Sequence, residues 1–327
     1  MNNASYTKKE SRLNISKRVL RIILPIISAC LFALAFWVLY HELKNYHYRE
    51  VVHYFHELPL YRLFLALFSS ILSYLMLIGY DFLGMWYIRH PLGYGKIAFA
   101  SYIGYAFSNS IGYSFLSGGF VRYRLYSAWG LSAAEIAKVV AFCIFSSFLG
   151  FFTFAGISFL IKPETIPSYL HLPLYSVRPV GVFFIVLVAI YFSMIFFFKK
   201  PLSIRGRQLR LPSKKLFPAQ ILVSTLDWAF ATFTLYFLLP PNIKISLPGF
   251  ISIFMTAQFA GLVSHVPGGL GIFEVVMLLL LPPVLTHSQI IGSLVSFRII
   301  YYFIPLTIAA VMLGARELLQ LKKKTVL

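Results

Sequence analysis

Charged side chains occur inside stretches of this chain that are otherwise apolar enough to lie in lipid. The six with candidate chemistry are Asp81, Arg122, Arg124, Asp227, Glu274 and Arg298. A charge at the centre of a membrane helix costs about 2.5 to 3.5 kcal/mol on insertion scales, so each needs a partner or a water-filled cavity. Acids and arginines in such a setting are typical of sites that bind or translocate a charged substrate.

Two glycine-rich interruptions lie in the same apolar sequence. The first contains Gly118 and Gly119, and the second contains Pro267, Gly268, Gly269 and Gly271. Glycine lacks a side chain and proline lacks an amide hydrogen, so both weaken a helix. Inside a bilayer, unwound backbone survives only where protein or water satisfies it. The glycine pairs therefore predict broken helices at a transport site.

The position of each charge relative to these interruptions suggests its role. Arg122 and Arg124 follow the first glycine pair, where a half-helix amino terminus and a guanidinium group together suit a lipid phosphate. The alternative is that both arginines only enforce topology or touch headgroups. Glu274 falls in the first turns after the second interruption, where the helix dipole favours a carboxylate.

The other three charged residues lie within the predicted full-length apolar helices. Asp227 and Arg298 are each near the middle of a helix and could pair, either at a working site or as an ion pair that fixes helix register. Asp81 lies about two turns from the end of its helix, where a carboxylate can reach interfacial water, and it too has a structural alternative. No catalytic residue is predicted.

The amino-acid composition indicates the class of protein. The chain is 59% hydrophobic and 12% charged, and apolar runs of about twenty residues match the hydrocarbon core of a bilayer, which predicts an all-α polytopic membrane protein. Cys30 and Cys143 lie in apolar helices without nearby ligand histidines, so neither a disulfide, a metal nor a cofactor is expected. The net charge of +19 comes from basic residues that flank the apolar runs, which favours membrane lipids over nucleic acid as partners.

The predicted fold has six full spans and two re-entrant, broken-helix hairpins. The spans lie near 19–40, 60–88, 135–161, 179–198, 217–239 and 289–314, and the hairpins near 97–128 and 248–282. The alternative is that each interrupted region crosses completely, which gives eight or more spans. Ser132 and Glu135 form a capping-box sequence at the start of the third span.

The positions of the basic residues predict which side of the membrane each loop faces. With both termini cytoplasmic and the hairpins re-entrant, 22 of the 29 lysines and arginines fall on the cytoplasmic side. A single transmembrane domain then covers 19–316, between basic tails at 1–18 and 317–327. Repeat A (about 60–161) and repeat B (about 217–314) have inverted orientation.

The sequence around the interruptions resembles a known family. The two motifs are Ser117-Gly118-Gly119-Phe120-Val121-Arg122-Tyr123-Arg124 and Val266-Pro267-Gly268-Gly269-Leu270-Gly271-Ile272-Phe273-Glu274. They are similar to the membrane-embedded flippase portion of the lysylphosphatidylglycerol synthetase/flippase (MprF) family, over roughly residues 20 to 316. By this resemblance, Asp81, Arg122, Asp227, Glu274 and Arg298 match the family's intramembrane polar positions.

The resemblance implies translocation of an anionic or aminoacylated phospholipid across the bacterial inner membrane. The alternatives are an ion-coupled carrier of a small anion and an intramembrane enzyme that modifies lipid. The family's synthase domain is not present in this sequence, so aminoacyl transfer by this chain alone is not expected. A separate synthase and a homo-oligomer are further expected partners.

Overall fold

The computed structural model describes residues 54, 58–111, 114–163, 176–197, 202–204, 207–209, 212–241, 243, 245–264 and 271–325. The helices of this part are α1 (Leu60–Ile88), α2 (Tyr94–Ile111), α3 (Ser114–Ser127), α4 (Ala133–Ile161), α5 (Arg178–Phe197), α6 (Leu216–Leu238), α7 (Leu247–Val263), α8 (Ile272–Leu280), α9 (His287–Arg298) and α10 (Ile304–Thr325). The π-helical turn Ile299–Phe303 joins α9 to α10. Two short antiparallel strands, β1 (Leu202–Ile204) and β2 (Arg207–Leu209), precede α6.

Five helical segments are long and apolar enough to cross a membrane. They are α1, α4, α5, α6 and the continuous segment His287–Glu317, which runs from α9 into α10. The shortest, α5, has 20 residues, and a helix of that length spans about 30 Å, the thickness of the hydrocarbon core. These segments confirm five of the six predicted spans, and the span near 19–40 lies outside the described residues.

Aromatic side chains form much of the core, and apolar side chains cover the outside. Phe254 packs edge-on against Phe273 and Phe297, with ring centroids 5.6 and 6.1 Å apart. By contrast, Phe64 of α1 and Phe183 of α5 are more than half exposed. An apolar surface of this kind suits contact with lipid. Helix α1 packs against α2, α4 and α6, which brings its polar residues next to three neighbours.

The start of α4 follows the predicted capping box. The Ser132 hydroxyl accepts a hydrogen bond from the Glu135 amide at 3.3 Å, and the Glu135 carboxylate accepts one from the Ser132 amide at 2.9 Å. Amide hydrogens at a helix start have no partner within the helix, so this reciprocal pair satisfies two of them. The capping prediction is confirmed.

The first glycine pair does not break the helix, which corrects the prediction for Gly118 and Gly119. Both lie inside α3, which runs without a break from Ser114 to Ser127. A side chain at Gly118 would come 2.7 Å from the Gly104 carbonyl oxygen and would collide with the Ser108 hydroxyl. The glycine is therefore needed for the close approach of α2 and α3, rather than for unwinding.

The second interruption separates α7, which ends at Val263, from α8, which begins at Ile272. Gly271 caps α8 with a φ of 80°, a left-handed backbone that glycine adopts without strain. The predicted break residues Pro267, Gly268 and Gly269 lie outside the described residues.

Candidate functional site

A buried ion pair joins α1 to α3. Asp81 is fully buried and Arg122 is 3% exposed. The Arg122 Nε donates to Asp81 Oδ1 at 2.9 Å and Nη2 donates to Oδ2 at 2.8 Å. This parallel, two-point contact is the strongest geometry that an arginine and a carboxylate can form. Arg122, predicted to hold a lipid phosphate, thus has a carboxylate from its own chain as its partner in this conformation.

Neighbouring groups complete the Asp81 site. The Tyr126 hydroxyl donates to Oδ1 and the Ser101 hydroxyl to Oδ2, both at 2.8 Å. The Arg122 guanidinium lies 4.2 Å from the centre of the Tyr105 ring, a cation–π contact. Because Ser101 and Tyr105 belong to α2 and Tyr126 to α3, the carboxylate holds together three helices.

A second ion pair joins α8 to α9. Arg298, the last residue of α9, donates through both Nε and Nη2 to Glu274 Oε1, with Nε at 2.8 Å. The other carboxylate oxygen accepts from the Gly271 amide at 2.8 Å, so Glu274 also caps its own helix. The predicted Asp227–Arg298 pairing is wrong, because the Arg298 side chain reaches the start of α8 instead.

Asp227 is held by hydroxyl groups. It is 5% exposed, and it accepts hydrogen bonds from the Ser73 hydroxyl at 2.7 Å and the Tyr80 hydroxyl at 3.0 Å. Ser73 also shares a hydrogen bond of 2.8 Å with the Tyr301 hydroxyl in the π-helical turn. Within the described part of the chain, no basic side chain forms an ion pair with Asp227.

Two tyrosines separate the Asp227 site from the Asp81 site. Tyr80 donates its hydroxyl to Asp227, and its ring lies 6.0 Å from the ring of Tyr105. Tyr105 in turn covers the Arg122 guanidinium. A continuous row of polar and aromatic groups therefore connects the two buried acids across α1 and α2.

These buried charges lie in a region that matches a described family. The family model for the lysylphosphatidylglycerol synthase TM region matches residues 22–309. The chain belongs to this family. The predicted resemblance is therefore confirmed, and it covers nearly the whole transmembrane part.

Curated relatives of the lysylphosphatidylglycerol synthase TM region family extend the comparison. An uncharacterized protein of Synechocystis sp. is 40% identical over 94% of this chain and 96% of its own length. The inner membrane protein YbhN of Escherichia coli is 30% identical over 74% of this chain and 76% of its own length. A phosphatidylglycerol lysyltransferase of Staphylococcus aureus is 26% identical over 91% of this chain, which spans only 34% of that protein.

Arg124, the other arginine after the first glycine pair, lies nearer the surface of this family member. Its Nη2 is 2.6 Å from Glu317 Oε1 on α10, and the two side chains are 16% and 35% exposed. A partly exposed pair of this kind contributes little to stability, typically about 0 to 1 kcal/mol. Arg124 thus joins α3 to α10 outside the buried Asp81 site.

The hydroxyl partners were missed in the sequence. Tyr126 follows Arg122 by four residues, so both lie on one face of α3, and Ser73 and Tyr80 are seven residues apart on one face of α1. A search for hydroxyls at helical spacing from each charge would have found Tyr126. Ser73 and Tyr80 belong to a different helix from Asp227, so spacing alone could not assign them.

Proposed function

We propose that this protein moves an anionic or aminoacylated phospholipid across the bacterial inner membrane, as a flippase-like translocator. The observation that carries the proposal is the set of buried charges in apolar helices. Two buried or nearly buried ion pairs, at Asp81–Arg122 and Glu274–Arg298, are costly features for a protein that only has to fold in lipid. A lipid headgroup with phosphate and ammonium groups has the charges that these side chains can bind.

The proposed architecture is a pair of inverted repeats with re-entrant hairpins. The order of helices supports it, since a long helix, two shorter ones and a further long segment occur as α1 to α4 and again as α6 to α10. The excess of lysine and arginine on one side supports cytoplasmic termini. In this arrangement α2–α3 and α7–α8 dip into the membrane from opposite faces, and α5 connects the repeats.

In the proposed mechanism, the charged groups of the lipid headgroup exchange partners with the two ion pairs. A phosphodiester that approaches Arg122 competes with Asp81 for the same two donor nitrogens. An aminoacyl ammonium that approaches Glu274 competes with Arg298 in the same way. Each exchange releases one buried charge, the Asp81 carboxylate or the Arg298 guanidinium. A headgroup that carries both ammonium and phosphate supplies the opposite charge that the released group needs. Rocking of one repeat against the other then alternates access between the leaflets.

A test in cells uses a variant that removes the Asp81–Arg122 charges together. We expect Asp81→Asn with Arg122→Gln to abolish outward exposure of the lipid headgroup, measured by a membrane-impermeant amine label. Arg178→Gln is the matched control, because Arg178 lies exposed at the start of α5. Protein in the membrane is quantified by immunoblot in parallel. Unchanged labelling in the double variant would overturn the proposal.

One observation favours a second candidate, an ion-coupled carrier of a small anion. Asp227 is buried among hydroxyl groups, and a serine or tyrosine hydroxyl can donate to a carboxylate or accept from a carboxylic acid. Such a site suits reversible binding of a proton that drives transport. In proteoliposomes, uptake of a soluble anion without movement of labelled lipid would favour this candidate over the first.

The synthase activity named for the Staphylococcus aureus relative is not included in the proposal. This chain spans 34% of that protein, and the proposed role of the shared part is transport. We propose a separate synthase as the source of any aminoacylated lipid, and self-association as a further property to be measured by native mass spectrometry.

A further inference from the structure

A cluster of cations and aromatic rings lies at one end of the helices, away from the buried acids. The Arg316 guanidinium of α10 lies 4.7 Å from the Trp129 ring centre and 5.6 Å from that of Phe99. Lys96 of α2 places its amino group 5.9 Å from the same Trp129 ring. Trp129 belongs to the turn between α3 and α4. We call Arg316, Lys96, Trp129 and Phe99 the aromatic-cation cluster.

Arg316 differs from the other arginines of the site in its partners. Arg122, Arg298 and Arg124 each pair with a carboxylate. Arg316 forms no hydrogen bond or ion pair with any residue that the structure describes, and its Nη1 is buried without a hydrogen-bond partner. The guanidinium packs against the two rings, the residue as a whole is partly exposed, and its donors form no hydrogen bond with a described residue.

The charge around Arg316 favours an anion. Glu317, the carboxylate next to Arg316 in the chain, already binds Arg124. In the sequence, three further lysines follow at 322–324, and the α10 backbone remains helical through Thr325. Planar guanidinium groups bind phosphate oxygens through two parallel hydrogen bonds, and a nearby lysine adds a point charge.

The cluster lies at the ends of helices whose apolar stretches suit a membrane. The last apolar span ends at Glu317, one residue after Arg316, and α2 begins at Tyr94, two residues before Lys96. Tryptophan at the end of a membrane span is typical of the headgroup region. This position suits contact with a lipid headgroup.

Aromatic contacts connect the cluster to the buried Asp81–Arg122 pair. The Trp129 ring lies 6.2 Å from the ring of Tyr126, and the Tyr126 hydroxyl donates to Asp81. A group that binds beside Trp129 is therefore one side chain away from the first buried ion pair. The cluster is therefore adjacent to the candidate translocation site.

We propose that the aromatic-cation cluster is a docking site for the phosphodiester of an anionic phospholipid, which binds there before the headgroup reaches Arg122. The second step, transfer of the headgroup from the cluster to Arg122, rests on the proposed lipid translocation. The first step, binding of the phosphodiester at the cluster, depends only on Arg316, Lys96 and the aromatic rings beside them. By the bias of basic residues, this docking site faces the cytoplasmic leaflet.

Binding is tested with the purified full-length chain by native mass spectrometry. Phosphatidylglycerol and the zwitterionic lipid phosphatidylcholine are titrated separately. We expect phosphatidylglycerol to bind more tightly, and Arg316→Ala to weaken it about tenfold, as expected for loss of a charged hydrogen-bonding group. Arg316→Lys should give a smaller loss, because it keeps the charge but not the planar fork. Lys138→Gln is the control, since Lys138 is an exposed cation near the start of α4.

The outcomes separate the docking site from the proposed function. Equal weakening by Arg316→Ala and Lys138→Gln, or equal binding of both lipids, overturns the site. Displacement of the lipid by low concentrations of inorganic phosphate overturns the lipid assignment in favour of a free-phosphate site. Thermal unfolding of each variant in detergent checks that the fold is kept. Lys96→Gln is a second substitution in the cluster, at an exposed side chain. If the wild-type protein binds phosphatidylglycerol through Arg316 but moves no lipid in liposomes, the docking site stands and the proposed translocation fails.

Discussion

Asp81 and Asp227 lie on two helices that pack together, α1 and α6, yet they are stabilised in different ways. Asp81 is neutralised by a two-point contact with Arg122, whereas Asp227 accepts hydrogen bonds from Ser73 and Tyr80. Both are nearly inaccessible to solvent. The comparison shows that the buried acid of α1 has a cation as its partner, while the buried acid of α6 is a carboxylate whose charge is not cancelled by any described residue.

The largest effect is expected from breaking the Asp81 pair on one side only. Arg122→Gln leaves the Asp81 carboxylate buried without its cation, which costs about 3 to 5 kcal/mol. The thermal unfolding midpoint in detergent should fall sharply. Adding Asp81→Asn should restore much of this loss, because neither charge then remains. A double variant that is no more stable than Arg122→Gln alone would contradict the ion-pair account.

A smaller loss is expected at the second ion pair. Glu274→Gln removes the charged acceptor of Arg298 and weakens the cap on α8, for a cost of about 1.5 to 3 kcal/mol. Glu317→Gln is the matched control, because its pair with Arg124 is more exposed and contributes about 0 to 1 kcal/mol. Chemical denaturation in mixed micelles measures both. Equal losses at the two glutamates would show that burial does not distinguish the pairs.

The two glycines of the first motif are expected to differ. Gly118→Ala drives a methyl group against α2 and should cost about 1 to 3 kcal/mol. Gly119→Ala meets no atom within 4 Å, so it should be neutral or add up to about 1 kcal/mol of helix stability. Thermal unfolding of the two variants, side by side, provides the measurement. Equal destabilisation by both would support an unwound glycine pair and contradict the continuous helix.

The smallest effect on folding is expected at Asp227. Asp227→Asn keeps the shape of the side chain and an oxygen for Ser73 or Tyr80, so its cost should be about 1 kcal/mol or less. Asp81→Asn should cost more, because it leaves Arg122 buried without a counter-charge. The difference between these two unfolding midpoints is the direct measure of the comparison. A large loss in Asp227→Asn would mean that Asp227 also neutralises a cation.

The sequence predicted the spans well because hydrophobic length alone determines them. The segments 60–88 and 217–239 agree with α1 and α6 to within one residue. The capping box at Ser132 was predictable for a similar reason, since it depends on residues three positions apart. Local patterns therefore accounted for most of the helical bounds.

The partners of the charges were not predictable in this way. Asp81 and Arg122 are 41 residues apart in the chain, and their contact depends on how α1 and α3 pack. Arg298 could have paired with either Asp227 or Glu274, and only the direction of its side chain at the end of α9 decides between them. Gly118 was misread because glycine serves both for unwinding and for close helix contact, and sequence alone does not separate the two uses.

Movement of lipid by the purified protein tests the central claim most directly. Liposomes carrying fluorescent phosphatidylglycerol are treated with dithionite, which quenches only the outer leaflet. We predict that wild-type protein exposes the inner-leaflet lipid and that Asp81→Asn with Arg122→Gln does not, although it remains folded. Two results would contradict the claim that these buried charges take part in translocation of a headgroup. One is quenching of only half of the fluorescence in liposomes with wild-type protein, and the other is equal quenching with wild-type protein and the double variant.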